Sequence, residues 1–190
     1  MEPGASRQVI GLVFHGLRAE LDRRGLTERV LERLQGDARD ALAHPPPHGS
    51  WGPARPHDQV IEAIGAAANR RAVRDVLYMV SKETTGPVAL PLLKTFVNLF
   101  GLDPVSLLKN LDKISSLHMR GGGLRFGYQA ETARSGVVTV SYGEPVDPIQ
   151  FAVWEGVLLF GKDLFGMDLI TVDPAVPLPD GRAARIRVAW

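Results

Sequence analysis

The chain has 190 residues, 45% of them hydrophobic, and its 22 basic and 21 acidic residues leave a formal net charge of +1. This length suits one domain, 1–190, with a sizeable core, and the balanced charge gives no electrostatic case for binding nucleic acid. The absence of cysteine excludes disulfides and thiolate-bound metals. The first apolar run, Val9–Phe14, fits neither a signal peptide nor a membrane span, so we expect a cytoplasmic protein.

Helical spacing of apolar residues dominates the first 120 residues. Leu17 and Leu21 belong to an amphipathic helix that should end at Gly25, and Thr27 opens a second helix that should stop before Gly36. The same periodicity predicts further helices from Asp58, across Val73–Val80, across Leu90–Phe100, and from Asp103-Pro104 through Leu117 to the glycines at 121–123.

The segment His44–Pro56 interrupts the helical pattern. It contains five prolines, and proline removes the backbone donors that regular structure needs. We therefore expect an exposed loop that tolerates change. His44, His48 and His57 are close in sequence, but no carboxylate or cysteine pattern accompanies them, so solvated histidines are favoured over a metal site.

After the glycines the apolar period changes from about 3.6 to about 2 residues. Leu124–Gln129 and Val138–Tyr142 are predicted to form a hairpin. The helix Pro148–Phe165 is apolar nearly all round, so it must be covered on most sides and should be the centre of the core. Leu169–Val172 and Arg185–Trp190 are predicted to form a second hairpin.

The predicted fold class is α+β. A helical part, 1–120, precedes a sheet-containing part, 121–190, and the order helix, hairpin, helix, hairpin starts with the last helix of the first part and builds a small antiparallel sheet. This order resembles the heme NO/oxygen-binding (H-NOX) proteins, and a Gly-x-x-Phe-x-Gly-Leu motif at Gly11–Leu17 also resembles a heme-less bacterial branch of paralogues. The segments in H-NOX order are Lys94-Thr95-Phe96, Asn110-Leu111-Asp112, the Tyr142 strand, the helix after Pro148 and the strand Arg185-Ile186-Arg187-Val188.

The residues by which H-NOX proteins hold heme are mostly replaced. Only Tyr142 matches the family's Tyr-x-Ser-x-Arg motif for the propionates, because Glu144 and Val146 stand at the other two positions. A glutamate repels propionates, and a valine supplies no guanidinium. The family's proximal histidine falls by count at Ser115, and His118 lies three residues further on. The resemblance therefore implies an H-NOX-like fold without heme, in which His118 and Tyr142 are the candidate cofactor-binding residues if heme or another ligand is bound.

Three functions are open at this point. The first is a non-enzymatic regulatory module that contacts a protein partner of a signalling pathway, or a second copy of itself as a homodimer. The second is a sensor that binds an apolar small molecule in the vacated cavity, and the third is a heme-dependent NO/oxygen sensor using His118. The simpler interpretation of His118 is a histidine that is hydrogen-bonded at the end of a helix and binds no ligand. We expect neither a catalytic site nor a bound metal, because no Ser/His/Asp or paired-carboxylate spacing stands out.

Overall fold

The structure is a computed structural model that describes residues 6–84, 104–165 and 170–190. The predicted helix Leu90–Phe100, the Lys94-Thr95-Phe96 segment and the proposed cap Asp103 lie outside the described residues. Across the described ranges, no helix is both long and apolar enough to cross a membrane.

The first part of the chain is helical and packs its apolar faces together. Leu17 and Leu21 are fully buried, and Gly25 adopts a positive φ of 65° where the first helix ends, as predicted. Asp58 does not cap its helix, which instead begins at Arg55 with proline in its first turn. The helices are α1 (Gly11–Arg23), α2 (Thr27–Leu31), α3 (Gly36–Ala43), α4 (Arg55–Ala67) and α5 (Arg70–Thr84).

The segment 44–56 is more ordered than its prolines suggest. The strand β2 (Trp51–Pro53) pairs with β1 (Gln8–Ile10), and β1 also pairs with β3 (Met119–Arg120). Carbonyl oxygens of the segment cap α1: the Gly11 amide donates to Ser50 at 2.8 Å, and the Leu12 amide donates to His48 at 3.0 Å. The predicted loop is therefore confirmed for residues 44–50 and wrong for β2 and for residues 55–56, where α4 begins. That the segment tolerates change stays a prediction, although the first turn of α1 bonds to it.

The single helix predicted from Pro104 to Leu117 is also wrong. The structure has two short helices, α6 (Pro104–Lys109) and α7 (Leu111–Ser115), followed by β3. The Asn110 side chain donates to the Ser106 carbonyl at 2.8 Å, and such a side-chain bond competes with the helical ladder. The three glycines form the turn from β3 into the next strand, with φ of 78°, 60° and 69°, and do not end a helix.

An antiparallel sheet follows, which confirms the predicted α+β class. Its order is β4-β5-β8-β6, and β7 also pairs with β8. Val138, Val140 and Ile186 are fully buried on one face, while Arg185 and Arg187 are exposed on the other. The strands are β4 (Arg125–Thr132), β5 (Ser135–Ser141), β6 (Thr171–Val172), β7 (Val176–Pro177) and β8 (Ala183–Ala189).

The apolar helix lies at the centre of the core, as predicted, but it is divided. Asp147 accepts a hydrogen bond from the Ile149 amide at 2.8 Å and starts a 3-10 turn, which leads into α8 (Phe151–Leu159) and then α9 (Gly161–Phe165). Glu155 is the one charged residue of α8, and its carboxylate accepts from Arg70 at 2.5 Å and from the Ala175 amide at 2.7 Å. These bonds stabilise a buried charge in an apolar helix.

Candidate ligand-binding cavity

A cavity of about 220 Å³ lies between α5, the pair α6–α7 and the pair α8–α9. Apolar side chains form almost all of its wall, and no Asp, Glu, Lys or Arg lines it within the described residues. The few polar lining groups are two imidazoles, three hydroxyls and two indoles. The aliphatic part of the wall includes Leu77, Val80, Leu108, Leu111, Val153 and Leu164.

The predicted site residue His118 lines this cavity. It follows α7, where its carbonyl accepts from the Ile10 amide at 3.0 Å and its amide donates to Ser115 at 2.9 Å. Burial lowers the pKa of the His118 imidazole below its usual value, so the ring is neutral at neutral pH. Ser115, at the family's histidine position, lines the cavity too, with its hydroxyl 3.2 Å from the Asp112 carbonyl.

The other predicted residue, Tyr142, does not line the cavity. Its hydroxyl accepts a hydrogen bond from Trp154 Nε1 at 2.6 Å, and Trp154 does line the cavity. The Arg7 guanidinium lies 4.8 Å from the centre of the Tyr142 ring. Burial raises the pKa of the Tyr142 hydroxyl to about 12, although the bond from Trp154 lowers it. The structure therefore does not bring His118 and Tyr142 together. Tyr142 lies outside the cavity wall and orients Trp154, which is part of that wall.

Sequence reasoning missed His57, which was interpreted as solvated. This side chain is only 1% exposed and lines the cavity, with its Nδ1 3.4 Å from an Asp58 carboxylate oxygen. Asp58 in turn pairs with Arg7. The sequence could have predicted that His57 is buried, because its spacing from Ile61 and Ile64 places the histidine on the buried face of α4.

The wall formed by α9 is held to α5 by polar contacts. The Tyr78 hydroxyl donates to Asp163 at 2.6 Å, and the Lys82 ammonium donates to the same carboxylate at 3.1 Å. Burial, together with the bond to Asp163, raises the pKa of the Tyr78 hydroxyl to about 12. These contacts are part-exposed, so the polar attachment of α9 to α5 is accessible to solvent.

No family model and no curated protein matches the sequence, but solved structures match the fold. The Fe(II) unliganded H-NOX protein from K. algicida has a TM-score of 0.60 at 12% identity, over 95% of both chains. The chain has an H-NOX-like fold. A mutant H-NOX protein from S. oneidensis in the Fe(II) ligation state gives 0.57 at 13% identity, over 95% of both chains. The S. oneidensis H-NOX domain in the Fe(II)CO state gives 0.56 at 13%, over 95% of this chain and 98% of that one.

The described residues offer an axial ligand for heme but lack the family's set of propionate donors. His118 offers a neutral imidazole to the cavity, which an axial ligand requires. The two heme carboxylates need cationic or hydroxyl donors, and the described wall of the cavity offers the hydroxyls of Ser81, Thr84 and Ser115 but no arginine or lysine. The Tyr142 hydroxyl that matches the family motif lies behind Trp154 and is already bonded to its indole.

Among the described residues, no group of three or more His, Asp or Glu side chains is placed to hold a metal ion. His15 and His48 are close, with stacked rings 3.9 Å apart, and His15 Nε2 lies 2.9 Å from the Pro46 carbonyl oxygen. This pair attaches the segment 44–50 to α1, which adds to the backbone bonds that cap that helix.

Proposed function

We propose that the chain is a regulatory module that binds the apolar part of a small molecule in the cavity and does so without heme. The observation that carries this proposal is an apolar cavity of about 220 Å³ whose described wall holds no Asp, Glu, Lys or Arg. Side chains that line such a space lack packed neighbours on one side and so lose dispersion energy. A ligand that fills the space recovers part of this energy, and this supports a binding role over ordinary packing.

The contacts of α9 support the regulatory part of the proposal. An occupant of the cavity touches Leu164 of α9, and the links from this helix to Tyr78 and Lys82 are polar and part-exposed. Binding that moves α9 therefore changes a surface that a protein partner of a signalling pathway contacts. This mechanism requires the ligand to bind the two arrangements of α9 with different affinity.

We assign no reaction to the cavity. The titratable side chains of its described wall are His57 and His118, and neither is bonded to a nucleophile there. General acid–base or nucleophilic catalysis needs such a pair within hydrogen-bond reach.

Intrinsic fluorescence tests the proposal, because Trp154 and Trp190 line the cavity. Titration with 1-decanol should give a saturable change at one site per chain. Val157→Phe, which places a larger side chain at the cavity wall, should abolish the change. Val137→Phe makes the same substitution on β5 outside the described wall and should preserve it. A missing change, or equal changes in both variants, would contradict the proposal.

A heme sensor is the second candidate, because His118 lines the cavity as a neutral imidazole. Adding hemin and recording the absorption spectrum separates the two functions. The proposal predicts no stoichiometric Soret band after removal of excess hemin. A stoichiometric band that disappears in His118→Ala would establish the heme sensor instead.

A further inference from the structure

A second hollow, of about 290 Å³, adjoins the apolar cavity. Ser115 and Met119 line both spaces, so these two residues form part of the wall between them. The second hollow differs in chemistry, because Arg120 and Arg125 line it and both are exposed. An apolar space and a cationic space therefore lie side by side.

The two guanidinium groups have no carboxylate partner among the described residues. Arg120 donates its Nε to the Gln8 side chain at 3.0 Å, and its guanidinium lies 4.0 Å from the centre of the Trp51 ring. Arg125 donates one terminal nitrogen to the Leu124 carbonyl at 2.9 Å. Their remaining nitrogens are available to an anion.

One acidic residue, Asp112, also lines the hollow. Its carboxylate accepts a hydrogen bond from the Phe126 amide at 3.1 Å, which fixes it at the start of β4. The hydroxyls of Ser115 and Ser116 donate to the carbonyls of Asp112 and Lys113 within their own turn. The formal charge of the described lining is thus positive, with two arginines against one aspartate.

We propose that the ligand is a single-chain amphiphile with an anionic head group. Its apolar chain occupies the cavity, where no charged residue of the described wall can pair with the head, and the head binds Arg120 and Arg125 in the adjoining hollow. The inference rests on the proposed function, since it requires that the cavity binds an apolar chain. It adds the chemical class of the ligand and the residues that select it.

Three ligands of equal chain length test the head group: decanoate, 1-decanol and decyltrimethylammonium, each below its micelle concentration and measured by calorimetry. Decanoate should bind about tenfold more tightly than 1-decanol, which corresponds to one charge-assisted hydrogen bond. Decyltrimethylammonium should bind least. Arg125→Gln should weaken the binding of decanoate and leave the binding of 1-decanol unaffected, because among the described residues the Arg125 side chain bonds only to the Leu124 carbonyl.

The matched control is Arg134→Gln, which removes the same charge from the β4–β5 turn and should change neither affinity. Equal binding of decanoate and 1-decanol, with no effect of Arg125→Gln, would overturn the inference and leave the proposed function standing. A preference for decanoate that survives in the Arg120→Gln/Arg125→Gln double variant would also overturn it, because the head group would then bind elsewhere. Binding of none of the three ligands would overturn the proposed function together with the inference.

Discussion

The two sides of α8 have different surroundings. Towards α5 the helices touch: a Cβ added to Gly156 would lie 2.4 Å from the Arg74 carbonyl oxygen. Towards α6 and α7, Val153 and Val157 of the same helix line the cavity. An apolar residue in the sequence therefore predicts a side chain that is shielded from water. It does not predict whether another side chain or a ligand covers that side chain.

The largest expected difference concerns two phenylalanines at opposite ends of this helix. Phe151 is fully buried and does not line the cavity, so Phe151→Ala should lower the free energy of unfolding by about 3–5 kcal/mol. Phe160 lines the cavity, so part of its surface faces the cavity and not another side chain, and Phe160→Ala should cost about 3 kcal/mol or less. Urea unfolding measures both values. Equal costs would indicate that Phe160, at the cavity, is packed as closely as Phe151.

Two glycines sharpen the same comparison. Gly156→Ala forces α8 away from α5 and should destabilise the fold by about 1–3 kcal/mol. Gly161→Ala is the control, because its nearest atom, Ile170 Cδ1, would lie 3.6 Å away at ordinary contact distance. That substitution should be neutral or stabilise by up to about 1 kcal/mol, since alanine restricts the unfolded chain. Thermal unfolding of both variants checks the order, and a tolerated Gly156→Ala would show that the helices do not touch.

The bond between Tyr142 and Trp154 connects the packed side to the cavity wall. Tyr142→Phe leaves the buried indole N–H without its acceptor and should cost about 1–3 kcal/mol. Trp154→Phe should then cost less in the Tyr142→Phe background than in the original chain. A double-mutant cycle measures this coupling. Additive costs would mean that Tyr142 does not orient the wall.

The smallest expected effect is a pH dependence from His118. Its folded pKa is lowered by burial from 6.5, so below pH 6.5 the unfolded chain takes up a proton more readily than the folded chain. Stability should therefore fall as the pH drops below 6.5 and level off below the folded pKa. His118→Gln should remove this part of the pH dependence. Identical pH profiles of the two chains would place His118 in solvent rather than in the cavity wall.

Sequence patterns predicted the later elements well and the earlier ones less well. The change from helical to alternating apolar period predicted the β4–β5 hairpin and the pairing of β6 with β8, because period 2 is a property of strands. The strands β1 and β2 were missed, since three residues are too few to show a period. The break at Asn110 was missed because one polar residue does not interrupt an apolar pattern.

The candidate site was predicted only in part. His118 was identified through the resemblance and does line the cavity, while His57 was missed although its spacing placed it on a buried face. The cavity itself could not be predicted. Its lining residues have the composition of an ordinary core. Only the distances between the helices show whether such residues surround a cavity or pack against one another.

Xenon binding in a crystal of the chain tests the central claim most directly. Xenon under pressure enters apolar cavities that are free of water. We predict xenon within van der Waals contact of Leu111, Val157 and Leu164, and none between α8 and α5 at Gly156. Ordered water at the site beside Leu111, Val157 and Leu164, or side chains that fill this site and leave no room for xenon, would contradict the account.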